Sequence, residues 1–529
     1  MRVIRVEGMS HPESHDLPAR LRALADLMPG TMRDGSGMHE YDGRIADLSP
    51  AGVESALNAL GGAALEDPHD EAHLAAFEAD ARYALGEAQQ HRANPLYHLN
   101  ELDVSGYDRG YAPEAERRAA RDAHLGRWPL GVDNAIASLD RVPAPVARSL
   151  IGAVRGLAEG LPEDVPAPLR ESALAAHARL VAHVERAAAE GPEDASLGAE
   201  RLARLMGTGE ALTVDLEELA GRARAERDRL WARLAEAVGR TSPGRNVMDA
   251  VRELTAQGPD GEGVVDAARR WTELALEFTA ERGLVPYSDG ECRVDLSPPA
   301  QRWATAMMFW SGPWEADTPS FYYITPPDPS WGEDEAAEWL EMFSDTTLPA
   351  VSVHEVAPGH FSHGRALRNA PGPVRRALHS MTFAEGWAHY AEEMMLEEGF
   401  GAYAAERSGV AGWSADHYEV GVWVEALIRV TRLSAAIGMH TGSMTVEEAA
   451  ALFSRDTPLQ GPAALAEAQR ATFDPTYGRY TWGKLEILRL REQARERWGS
   501  GFSPGRFHRA LLDLGSPPLG LIGTALERG

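Results

Sequence analysis

The residues most able to do chemistry lie in one stretch, Val353-His354-Glu355-Val356-Ala357-Pro358-Gly359-His360-Phe361-Ser362-His363. Two imidazoles and a carboxylate so close together are the raw material of a hydrolytic metal site. The histidines hold a divalent ion, and the Glu beside the first faces the water that the ion activates. When such histidines stand four apart on a helix they share a face. Here the second follows the first by six residues, about 600° of helical rotation, which points them apart in a regular helix. Pro358 lacks an N–H and clashes with the carbonyl four residues back, and Gly359 admits dihedrals closed to other residues. We read the pair as a helical metal site with a two-residue bulge that restores the common face. A helix N-terminus carrying incidental histidines, with Pro358 in its first turn, is the competing reading.

A second group lies downstream in Thr382-Phe383-Ala384-Glu385-Gly386-Trp387-Ala388-His389-Tyr390-Ala391-Glu392-Glu393. Glu385, His389 and Glu392 are spaced i, i+4, i+7 and share one helix face. A solvated charged face would account for them, but Phe383, Trp387 and Tyr390 on the same helix argue for burial. A His₂Glu set leaves one coordination position for water, as a hydrolase requires.

The elements that must position these groups are mostly helical. Ala, Leu, Arg and Glu dominate, with apolar residues at helical spacing over 51–91, 112–124, 132–159, 165–190, 196–206, 213–240 and 263–283. Gly and Pro punctuate the breaks, as at Gly160-Leu161-Pro162 and Ser242-Pro243-Gly244. From 285 to 330 the texture changes to Pro, Trp and Tyr, and Phe321-Tyr322-Tyr323-Ile324-Thr325 is the best strand candidate. Helix returns at 333–345 and again from about 347, and 480–497 forms a basic-faced helix. The fold class is therefore mainly α, a large helical body around a deep metal-site cleft with a small β element near 321–325. Composition divides the chain into a helical region, 1–284, and a metal-site region, 285–529, packed as one body.

Composition also excludes function classes. Lys and Arg total 52 against 80 Asp and Glu, a net charge of −28 that repels phosphate backbones, so nucleic acid is not an expected partner. The single cysteine, Cys292, forbids an intramolecular disulfide and a cysteine-based zinc cage. With no leader-like apolar core near Met1 and no apolar run of about 20 residues, the expectation is a cytoplasmic protein without a membrane partner. The oligomeric state is not legible.

His354-Glu355-x-x-Pro358-Gly359-His360 followed by Glu385-Gly386-Trp387-Ala388-x-Tyr390-x-Glu392 resembles the bacterial family catalogued as domain of unknown function 885. Its members resemble zinc metallopeptidases of the Glu-zincin group. The resemblance is specific over 354–392 and extends to Tyr322-Tyr323 upstream and Tyr480-x-x-Gly483-Lys484 downstream. It implies His354, His360 and Glu385 as ligands of Zn²⁺ or another divalent metal, and Glu355 as general base. Three positions depart from the family pattern: His363 replaces a frequent Gln, His389 an apolar residue, and Ala436 an Asp.

The expected function is metal-dependent hydrolysis of short peptides, with metal-activated water and Glu355 moving the proton. Tyr480 and His440 are candidates for a second donor to the oxyanion, against ordinary roles as a packed aromatic and a helix cap. The strand bearing Tyr322 and Tyr323 is a candidate edge for pairing with a peptide substrate. Arg489 and Arg491 are candidates for a substrate carboxylate, against pairing with Glu486 and Glu492. Hydrolysis of a non-peptide amide or natural-product intermediate, and a non-catalytic helical protein with a retained metal site, are the alternatives.

Overall fold

The computed structural model describes residues 17–287 and 289–528. Helix makes up 68% of the chain and strand 3%, which bears out a mainly α fold with a small β element. The first half is built largely from long helices: α1 (Glu114–Ser138), α2 (Ala144–Glu159), α3 (Ala167–Glu190), α4 (Leu216–Thr241) and α5 (Val264–Arg282). Two boundaries differ from the periodicity. The stretch 51–91 is not one helix: Pro50–Ala59 and Pro68–Ala81 are separated by Gly61 and Gly62 at positive φ, and Asp67 caps the second. Conversely, α1 runs unbroken through Pro129 to Ser138, and the break falls before Pro143.

Three short strands follow: β1 (Cys292–Leu296), β2 (Ala306–Phe309) and β3 (Ser320–Ile324). The sheet order is β1-β3-β2, with β1 parallel and β2 antiparallel to β3. The aromatic strand is therefore the central one. Its expected role as an edge strand for a peptide is corrected, because both its hydrogen-bonding sides are occupied. Tyr322 pairs across the sheet with Val294 and Met308 and is fully buried. Tyr323 points to the opposite face and stacks on Phe321 at 5.4 Å.

The site helices are α6 (Leu348–Glu355), α7 (His360–Asn369), α8 (Met381–Glu397), α9 (Ala415–His440), α10 (Gly461–Phe473) and α11 (Arg479–Trp498). The largest apolar core runs from Leu202 to Ala525 and so joins α4 and α5 to all of these. Helices α1–α3 enclose a second core, and residues from Leu21 to Leu85 form a third with Val374, Ala377 and Leu378. Among the described residues no helix is long and apolar enough to cross a membrane.

Two glycines set the closest approach near the site. A Cβ on Gly386 of α8 would lie 2.5 Å from the backbone of Gly483 on α11, and one on Gly483 would lie 2.2 Å from the Thr382 carbonyl oxygen. Only hydrogen at both positions lets these helices cross at this distance, and the crossing brings Tyr480 of α11 to the metal-site helices.

Candidate metal centre

Helix α6 ends at Glu355 and α7 begins at His360, so the expected bulge within one helix is corrected to a break between two. Every residue of α6 is buried, and His354 and Glu355 sit in its last turn. The connector is held in three ways. Ser362 N–H donates to the Val356 carbonyl, His363 N–H donates to that of Gly359, and Trp387 Nε1–H donates to that of Pro358 at 2.8 Å. A Cβ at Gly359 would lie 1.9 Å from the His354 carbonyl oxygen, which explains a glycine here. The Trp387 contact ties the second sequence motif physically to the first.

Helix α8 is capped by Ser380, whose hydroxyl accepts from Phe383 N–H. It is buried from Thr382 to Met395, so Glu385, His389 and Glu392 form an interior face, not a solvated one. Glu385 Oε2 lies 3.3 Å from His354 Nε2 and 3.2 Å from His360 Nε2. The three ligating atoms lie within 4.8 Å of one another. Burial pushes the Glu385 carboxyl up, but the two imidazoles outweigh it and hold the group well below the usual carboxylate range.

Behind His354, Nδ1 lies 2.6 Å from Glu392 Oε1. This contact selects the tautomer in which Nδ1–H donates and Nε2 presents a lone pair toward Glu385. Glu392 is fully buried, pairs with Arg429 at 3.2 Å and lies 3.3 Å from His389 Nδ1. Burial alone would raise its carboxyl; Arg429, His389 and His354 hold it strongly down. Arg429 in turn donates to Glu425 at 2.8 Å.

These residues fit a divalent metal. Nε2 of both imidazoles and a carboxylate oxygen converge, and the Nδ1–H tautomer of His354 leaves its Nε2 lone pair free, an arrangement that suits a cation. A tetrahedral ion with bonds of about 2.0–2.1 Å has ligand–ligand edges of roughly 3.3 Å, matching both imidazole–carboxylate distances. His354, His360 and Glu385 would hold it.

Glu355 is 5% exposed, and its Oε2 is buried without a hydrogen-bond partner among the described residues. Burial first, then the charges of Glu385 and Glu392, push its pKa up to about 7 against His360 and Arg429. It lines a cavity of ≈ 80 Å³ together with His354, Arg429, Arg432, Arg470 and Tyr480. The Tyr480 ring is stacked on His354, with centroids 6.1 Å apart, and its hydroxyl accepts from Arg470 Nη2 at 3.2 Å.

Other sequence candidates lie elsewhere. His440, at the end of α9, bonds the Ala471 carbonyl at 2.9 Å and lines a separate cavity with Asp194 and Met444. Arg489 is exposed and pairs with Glu486 at 2.9 Å, and Arg491 pairs with Glu397 at 2.7 Å. His363 bonds the Gly515 carbonyl at 3.2 Å, and burial pushes its pKa down to about 3. Tyr322 lies beside Ser352 and Glu355 of α6, whereas Tyr323 is on the opposite face of the sheet. The sequence reading missed Glu425, Arg429, Glu467 and Arg470, and matched Arg432 to the family pattern without giving it a role at the site. A signal was present, since Glu425, Arg429 and Arg432 recur at i, i+4, i+7 within the apolar run from Val420 to Ile437.

Fold and site together define a helical protein with a buried His₂Glu constellation. The chain belongs to the bacterial family of proteins of unknown function DUF885, which matches residues 31–526. No curated protein matches it. The fold is similar to a solved chain from Shewanella oneidensis described as "a putative lipoprotein of unknown function", at 19% identity and a TM-score of 0.71, covering 97% of this chain and 98% of that one. It is also similar to "the putative lipoprotein from Colwellia psychrerythraea", at 16% identity and a TM-score of 0.75, covering 96% and 98%. Both neighbours are described as putative lipoproteins, and that description corrects the cytoplasmic expectation. A lone cysteine forbids a disulfide without selecting a reducing compartment, and the residues behind the leader argument fall in 1–16, outside the described residues.

Proposed function

We propose that this protein is a zinc-dependent, Glu-zincin-like metallopeptidase that hydrolyses short peptides. The observation that carries the reading is the convergence of His354 Nε2, His360 Nε2 and Glu385 Oε2 beside the unpartnered Glu355 carboxylate. His354, His360 and Glu385 would hold a divalent ion, which would supply Lewis acidity toward water and the scissile carbonyl. Glu355 accepts the proton of the attacking water and passes it to the leaving amine. Tyr480 already accepts a hydrogen bond from Arg470, which leaves its own O–H to donate to the developing oxyanion. Glu392 and Arg429 keep the His354 ring oriented. The small cavity favours short substrates over folded ones.

The test is metal content and turnover of parent and Glu355→Gln protein on a panel of di- and tripeptides, with and without a chelator. The variant should keep its metal while turnover falls roughly 10²–10⁴-fold. Absence of chelator-sensitive cleavage by the metal-loaded parent, or near-parental turnover of the variant, defeats the reading. Loss of metal from the variant would make Glu355 a ligand.

A further inference from the structure

The cavity beside Glu355 is lined by guanidinium groups from two different helices, α9 and α10. Arg432 gives Nε and Nη2 to Glu467 at 2.7 and 2.6 Å, and Arg470 gives Nη2 to Asp474 at 3.3 Å and to the Tyr480 hydroxyl at 3.2 Å. Nη1 of each has no hydrogen-bond acceptor among the described residues, and both side chains line the cavity with His354, Glu355 and Tyr480. The two guanidinium carbons lie 5.1 and 5.9 Å from the Tyr480 ring centre, so both sit close to one aromatic ring. Permanently charged, planar donors held this way match a carboxylate.

A second cavity, of ≈ 180 Å³, adjoins the first and shares Met342, Glu425, Ile428 and Leu459 with it. It includes the exposed residues Glu338 and Gln460, whereas no residue lining the inner cavity is exposed. Its ionisable lining is mainly acidic, with Glu338, Glu341 and Glu425 against Arg252. The outer cavity thus sets three carboxylates against one guanidinium, the shared part joins Glu425 to apolar Met342, Ile428 and Leu459, and the inner end sets Arg429, Arg432 and Arg470 against Glu355, Glu425 and Glu467, with Nη1 of Arg432 and Arg470 to spare. A free peptide carries an ammonium at one end and a carboxylate at the other, so this polarity admits it carboxylate first.

We infer that Arg432 and Arg470 bind the free C-terminal carboxylate of the peptide, which makes the enzyme a carboxypeptidase acting on short chains. This rests on the metallopeptidase reading and specifies its substrate. With the carboxylate on the two arginines, the amide one residue back lies toward His354 and Glu355, which line the same cavity. Water oxygen bonds to that carbonyl carbon and the C–N bond breaks. One water proton travels by way of Glu355 to the departing amine, releasing the C-terminal amino acid and a peptide one residue shorter.

The test compares trialanine, its C-terminal amide and its N-acetyl form by calorimetric binding to the metal-loaded Glu355→Gln protein and by cleavage with the parent. Trialanine should bind about 10–100-fold more tightly than the amide, as the loss of charge-assisted hydrogen bonds implies. N-acetylation should matter far less. In Arg470→Lys the preference for acid over amide should shrink mainly through KM. The comparison of peptides needs no substitution at the arginines, so a misfolded variant cannot decide it. Equal binding of acid and amide, or cleavage blocked by acetylation but not by amidation, overturns the inference even if metal-dependent cleavage is seen. Selective binding of the free acid without any cleavage upholds the carboxylate site and defeats the peptidase reading instead.

Discussion

Replacing Glu392 by Gln tests how the centre is built from behind. Its carboxylate is fully buried, lies 2.6 Å from His354 Nδ1 and pairs with Arg429 at 3.2 Å. The Gln carbonyl can still accept from Nδ1–H, so the ring keeps its tautomer but loses the negative charge that strengthens its Nε2 lone pair. Partners of this kind contribute about 10–100-fold to metal affinity, or roughly 1.4–2.8 kcal/mol. The Gln amide also turns donors toward Arg429. Breaking a buried ion pair costs about 3–5 kcal/mol, but Arg429 retains Glu425 at 2.8 Å, so the loss in fold stability should fall below that range. The assay is zinc titration of the apo-protein against a chelating competitor, with urea unfolding of both apo-proteins alongside. Zinc affinity within two-fold of the parent would refute the reasoning, because His354 would then not be a ligand supported through Nδ1.

Other perturbations probe the fold around the site. Gly483→Ala places a methyl 2.2 Å from the Thr382 carbonyl oxygen; it should lower the urea midpoint by the equivalent of about 1–3 kcal/mol, and an unchanged midpoint would mean that α8 and α11 do not cross there. Removing metal with a chelator should lower Tm, since an ion present at 100 times its Kd stabilises the fold by about 2.7 kcal/mol; an unchanged Tm counts against a resident ion. Asp80 is pushed up to about 7, by burial and then by the charge of Glu210. Its raised folded-state pKa contributes stability that is full below about pH 4 and is lost as pH rises through about 7. Asp80→Asn should therefore flatten urea-unfolding stability between those values, and a profile parallel to the parent's would refute the shift.

The sequence by itself determined most of the helices, because an amphipathic period is a local property, and it determined which residues could form the site. His354, Glu355, His360 and Glu385 are singled out by type, spacing and the family resemblance together, and the structure brings His354, His360 and Glu385 to one place with Glu355 close enough to feel the charges of His360 and Glu385. It did not determine how they meet. Six residues separate the two histidines, and only the break between α6 and α7, bonded to Trp387 from another helix, turns both rings toward Glu385. The aromatic strand was legible, but its central position was not, since β1 and β2 are short and lack clear alternation. Tertiary structure alone placed Tyr480, Arg432 and Arg470 at the cavity and His440 away from it. Those positions follow from the crossing of α8 and α11 at Gly386 and Gly483 and from the length of α9. Such long-range contacts depend on packed volumes and interhelical distances, which residue type and spacing along the chain do not encode locally.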